Sequence, residues 1–180
     1  MIHPGQPAPD FSLPDADMDM FHLSSVLGRQ PFVLYFYIKD GTPGCIAEAT
    51  EFSDLDADFA RLHCTVIGVS RDDCITHAEF RDKHGLSVCL LSDTECEVCG
   101  RYGVWQLREA DGVRRMGVVR STFVVDRRGI VQHALYGVSP RGHAAQVLQL
   151  VKQIDTSGNA HANRQGHRRH TQLPGHGPGR

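Results

Sequence analysis

The chain has 180 residues and a formal charge of −2, with 19 basic and 21 acidic residues, long enough for one domain whose core needs no disulfide or metal staples. No apolar run approaches membrane-spanning length, and Met1–Pro9 has neither the basic start nor the apolar stretch of a secretion signal, so a cytoplasmic protein is expected. Four basic residues, Arg164, Arg168, Arg169 and Arg180, fall in an acid-free tail; the rest carries 21 acids against 15 bases, which argues against a nucleic-acid platform.

In chain order, residues 4–24 combine Pro and Gly punctuation with two short apolar runs around a polar turn at Asp15–Asp19, the pattern of a small β-hairpin. Phe32–Ile38 is apolar without polar alternation and suits a strand covered on both faces. From Pro43 to Leu62, Phe52, Leu55, Phe59 and Leu62 recur at helical spacing. Cys64–Ser70 is a second buried strand, and Asp72–His84 a helix stopped by Gly85. Val88–Leu91 reads as a short strand, and Asp93 as the cap of a brief helix to Tyr102.

Residues 106–116 read as a charged loop. Met116–Val125 and Ile130–Tyr136 read as strands joined by a hairpin turn at Asp126–Gly129. Ser139-Pro140 signals the start of a last helix with Ala144, Val147, Leu148, Val151 and Ile154 as its buried stripe. The order implies an α/β domain over residues 1–155, one mixed central sheet between helices. Residues 156–180, rich in His, Arg and Gly, are expected to form a disordered, solvated tail, His161, His167, His170 and His176 being too scattered for an ordered metal site.

Cys45 falls in the first turn of the helix that follows the apolar run. Unpaired amide N–H groups converge there, and their partial positive charge favours a thiolate, the form in which sulfur is a nucleophile. Cys64 and Cys89 sit in strand-like stretches and read as core thiols. Cys96-Glu97-Val98-Cys99 is a CxxC, but no second CxxC or close His pair follows, so neither a metal nor a cofactor is expected.

The residues around Cys45, namely Tyr35-Phe36-Tyr37, Lys39-Asp40, Thr42-Pro43-Gly44-Cys45 and Glu48-Ala49, resemble the peroxidatic motif of the peroxiredoxins, in the bacterioferritin comigratory protein or peroxiredoxin Q branch. The likeness continues at Gly68-Val69-Ser70, Leu90-Leu91-Ser92-Asp93, Tyr102-Gly103-Val104-Trp105 and Arg120-Ser121-Thr122-Phe123-Val124-Val125-Asp126, and spans roughly residues 3–153.

The resemblance implies a thioredoxin-like fold, reduction of hydrogen peroxide and organic hydroperoxides, thioredoxin or a similar thiol as reductant, and a monomer or weak dimer with no membrane or nucleic-acid partner. It assigns Cys45 as the peroxidatic cysteine, Thr42 as the hydroxyl residue of the site and Arg120 as its arginine. An always-cationic guanidinium beside the sulfur would favour the thiolate and hold peroxide oxygens in its donor fork.

The chain departs from its relatives in three places. Thr50 and Arg81 stand where the family keeps a resolving cysteine, and Ile38 stands where it keeps a proline that walls the pocket. Cys99 is then the candidate resolving thiol, with Cys74 a poorer one, and an external thiol the other possibility. A redox sensor or an interaction module on the same scaffold is the alternative to a turning-over enzyme.

Overall fold

A computed structural model describes the backbone of residues 1–165 and the side chains through Asp155. The opening segment forms the expected hairpin, β1 (Ser12–Pro14) against β2 (Met20–His22), antiparallel, with Leu13 opposite Phe21. The apolar run becomes β3 (Phe32–Phe36), buried at every residue. Helix α1 (Pro43–Asp54) and helix α2 (Asp56–Arg61) follow where one continuous helix was expected, the chain turning at Leu55.

β4 (Thr65–Ser70) leads to α3 (Cys74–His84), capped by the Asp73 carboxylate on the Thr76 N–H and closed by Gly85 at φ +60°. β5 (Cys89–Ser92) and α4 (Glu97–Arg101) come next. The Asp93 carboxylate accepts from the N–H groups of Val98 and Cys99, so it serves this short helix as expected, although Cys96 is the residue at its start.

The charged stretch expected to be a loop is instead a second hairpin, β6 (Trp105–Ala110) against β7 (Val113–Val118). Its turn residues Asp111 and Gly112 have φ of +53° and +74°, the pair of left-handed conformations that a tight two-residue hairpin requires. Arg120 then interrupts what was expected to be one strand, and β8 (Ser121–Val125) turns into β9 (Val131–Tyr136) through the expected Asp126–Gly129 turn. The last helix, α5 (His143–Gln165), begins three residues after Pro140 rather than at it, and its backbone continues past the expected boundary at 155. Residues 166–180, the remainder of the expected tail, lie outside the described residues, as do the side chains of 156–165.

The central sheet has the order β5-β4-β3-β8-β9. β3, β4 and β5 are parallel, linked by helical crossovers, whereas β8 and β9 run antiparallel, so the sheet is mixed. Alternate residues of β3 feed opposite faces. Val33, Tyr35 and Tyr37 join Cys45, Ala49, Phe52 and Phe59 under the helices, together with Ala144 and Val147 of α5. Phe32, Leu34 and Phe36 join Phe11, Val98, Cys99, Tyr102 and Phe123 on the other face. Gly68 is required by this packing, because a Cβ there would meet the Tyr35 ring at 2.7 Å. No helix among the described residues is long and apolar enough to cross a membrane.

Candidate active site

The end of β3 releases the chain into a loop, Ile38–Gly41, that leads directly into α1. Thr42 takes the extended N-cap position (φ −76°, ψ 147°) and Pro43 the first helical position, where its missing N–H costs nothing. Cys45 is therefore the third helical residue, on the turn whose N–H groups have no partner within the helix. Its side chain is 1% exposed. The Thr42 hydroxyl donates to the Lys39 carbonyl at 3.0 Å, so its lone pairs, not its proton, are left for any other partner.

Arg120 reaches this turn from the break between β7 and β8, where its own carbonyl accepts from the Val138 N–H at 3.0 Å. Nη2 donates to Cys45 Sγ at 3.3 Å and Nη1 to Glu48 Oε1 at 2.8 Å. Burial works against the guanidinium's charge, but the Glu48 carboxylate and the hydrogen bond to Cys45 outweigh it and hold Arg120 protonated above its ordinary value. Glu48, fully buried one turn after Cys45, is pushed up by burial to about 7, the Arg120 charge opposing that rise, and its second oxygen, Oε2, has no hydrogen-bond partner. Gly44 sets the closeness of this triangle: a Cβ there would lie 3.2 Å from both Arg120 Nη2 and Pro140 Cγ.

The sequence-predicted residues thus divide. Cys45, Thr42 and Arg120 come together at the start of α1, and Glu48, quoted only as part of the motif, joins them. Its position three residues after the cysteine, on the same helix face, was the signal for it. Cys99 is not brought to the site: it is fully buried on the opposite face of the sheet, in the cluster with Phe36 and Tyr102. Burial, with Asp93 adding, raises the Cys99 thiol far above its ordinary value. Cys64 is the core thiol expected of it, pushed up by burial to about 12; Cys89, half-buried, is pushed up to about 11. Thr50 lies on α1, and Arg81 on α3 is tied to Asp17 at 2.9 Å and to Asp82 at 3.0 Å. Ile38 is 39% exposed.

The AhpC/TSA family model matches residues 4–134. The chain belongs to the AhpC/TSA family of peroxiredoxins. It is 39% identical over 153 residues to the peroxiredoxin Bcp of Bacillus subtilis, covering 85% of this chain and 97% of that one.

Among solved peroxiredoxins, a cysteine mutant of the Xylella fastidiosa PrxQ superposes with a TM-score of 0.80 at 32% identity, over 85% of this chain and 97% of that one. The Xanthomonas campestris bacterioferritin comigratory protein, studied for its alkyl peroxide reduction activity, gives a TM-score of 0.76 at 32% identity, over 81% and 92%. These neighbours establish the thioredoxin-like peroxiredoxin fold, and with it a thiol peroxidase of the Bcp/PrxQ branch.

Proposed function

We propose that this peroxidase reduces hydrogen peroxide and organic hydroperoxides through a sulfenic acid on Cys45. The observation that supports this most strongly is the 3.3 Å contact from Arg120 Nη2 to Cys45 Sγ at the positive end of α1. A guanidinium proton and the helix amides stabilise negative charge on sulfur and, as the O–O bond lengthens, on the departing oxygen.

The sulfur attacks one peroxide oxygen, forming an S–O bond while the O–O bond breaks. The leaving oxygen takes a proton and departs as water or an alcohol, so Cys–SH and ROOH become Cys–SOH and ROH, with sulfur oxidised by two electrons. Thr42, whose own proton is engaged by Lys39, accepts a hydrogen bond from the hydroperoxide O–H and orients it.

We assign resolution to an external thiol rather than to Cys99, from which the sheet separates Cys45. That thiol attacks the sulfenic sulfur, water leaves, and a mixed disulfide forms; a second thiol then releases Cys45 and carries away the disulfide. With Cys45 1% exposed, the first turn of α1 opens to admit it. Thioredoxin or a similar dithiol in the cytoplasm fits that role. Coupled peroxide consumption by wild type beside Cys45→Ser tests this reading: an inactive variant supports it and a fully active one ends it. An inactive wild type whose Cys45 still oxidises stoichiometrically is the redox sensor instead.

A further inference from the structure

His77 lies on α3, outside the Cys45–Arg120–Glu48 triangle, and is completely buried. Its Nε2 is 2.9 Å from the Leu91 carbonyl oxygen of β5. A carbonyl only accepts, so Nε2 carries a proton. Its Nδ1 is 2.5 Å from Asp40 Oδ2, while the Tyr37 hydroxyl donates to Asp40 Oδ1 at 2.6 Å. With Nδ1 donating to Oδ2 the pair is an imidazolium on a carboxylate, the charge state favoured by the Asp40 hydrogen bond and charge. The pair is sealed from solvent, with side chains 0% and 3% exposed.

The main chain of Asp40 is fixed as well, its N–H donating to Asp72 Oδ2 at 2.9 Å, an oxygen that also takes the Ser70 hydroxyl at 2.6 Å. Asp40 is thereby tied to the ends of all three parallel strands: through Tyr37 to β3, through Ser70 and Asp72 to β4, and through His77 to β5. Two residues further on is Thr42, joined to it only by Gly41, at φ +80°. Nothing else in the exposed Ile38–Lys39 stretch anchors this loop to the sheet as firmly.

We infer that His77 is a positioning residue for peroxide reduction, holding Asp40 and hence the loop that presents Thr42 and Cys45 at the face of Arg120. The inference rests on the peroxidase reading above and adds a residue that never touches the sulfur. The groups facing His77 are Tyr37 from the end of β3, Asp40 from the loop, and Asp72 and Asp73 from the turn before α3; β5 offers the Leu91 carbonyl. Burial lowers the imidazole's affinity for its proton, but the Asp40 hydrogen bond and charge raise it further, and the balance lies above the ordinary value. The clamp is intact below that titration and is lost as pH rises through it.

The test is the second-order rate of Cys45 oxidation by hydrogen peroxide, measured by stopped flow across pH in wild type, His77→Gln, Asp40→Asn and the double variant, with Cys45→Ser as control. Displacing a reacting group by about an ångström slows reaction on the order of a hundredfold, so each single variant is expected to be ten- to a hundredfold slower. The double variant is expected to be no slower than the slower single, as two residues of one clamp require. Wild type is expected to lose rate on the alkaline side of the His77 titration, a limb that His77→Gln lacks.

Wild-type rates in both single variants, or multiplying losses with unchanged pH profiles, overturn the inference. Should His77→Gln fail to fold, Asp40→Asn and the wild-type profile decide it on the same criteria. Peroxide consumption persisting in Cys45→Ser would sink the peroxidase reading itself and is seen separately.

Discussion

Arg120 Nη2 and Cys45 Sγ, 75 residues apart in the chain, meet at 3.3 Å, and the same guanidinium holds Glu48 at 2.8 Å with its other nitrogen. One fork thus bridges two partners from one helix turn. A lysine offers a single point charge on a flexible stem and cannot hold both at once. Arg120→Lys is therefore expected to slow peroxide-driven oxidation of Cys45 by about a hundredfold, the order seen when one preorganised donor is lost, and to slow alkylation of Cys45 by iodoacetamide at neutral pH. Stopped-flow oxidation and timed alkylation, side by side with wild type, check both.

Thr42 separates packing from hydrogen bonding. Thr42→Ser keeps the hydroxyl that donates to Lys39 and accepts at the site, and is expected to stay within a few-fold of wild type. Thr42→Val keeps the shape and loses the oxygen; its rate with hydrogen peroxide is expected to fall at least tenfold, as for loss of a hydrogen bond to a reacting group. Equal rates in the two variants would remove Thr42 from the mechanism.

Glu48 makes stability depend on pH. Burial raises its carboxyl from 4.5 to about 7, and an acid whose folded pKa is raised contributes stability that is fully present below 4.5 and is lost as pH rises through 7. Glu48→Gln keeps an oxygen for Arg120 Nη1 but cannot ionise. The melting temperature of wild type relative to Glu48→Gln is expected to be highest in acid and to decline between these two pH values. A difference that stays flat across the range would mean that Glu48 is not held as described.

Cys99 lies across the sheet from Cys45, so removing it is expected to leave catalysis alone. Cys99→Ala is predicted to turn over with a dithiol reductant at the wild-type rate while melting lower, because a fully buried side chain has been truncated. Intact mass after one equivalent of peroxide is predicted to rise by one oxygen. Loss of two hydrogens in wild type but not in Cys99→Ala would restore Cys99 as the resolving thiol.

The sheet and the position of Cys45 were legible because both rest on local signals: an unbroken apolar run, loop punctuation, then helical spacing. Arg120 and Thr42 were reachable only through the motif, since nothing in their own neighbourhood points to a sulfur 75 or three residues away. The β6–β7 hairpin was missed for a physical reason. Its strands are largely exposed, so Arg108, Glu109, Arg114 and Arg115 replace the alternation that marks a half-buried strand, and only the Asp111-Gly112 turn announced it.

Ser139-Pro140 carried a helix-start signal that the tertiary structure overrode. Pro140 is used against Gly44, and α5 starts only at His143, after Gly142, whose N–H donates to the Glu51 carboxylate. Asp40 was quoted with the motif, but its pairing with His77 left no trace in the pattern. A polar pair buried between a loop and a helix is visible only once the chain has folded.

The most direct test is to expose the reduced protein to one equivalent of hydrogen peroxide in the presence of dimedone and map the adduct among the six cysteines by peptide mass spectrometry. The adduct is predicted on Cys45 alone in wild type, and at least tenfold less of it at the same time point in Arg120→Met, which keeps bulk but has neither charge nor donors. An adduct on another cysteine, or equal labelling of Cys45 in the two proteins, would contradict the pairing of sulfur and guanidinium on which the mechanism stands.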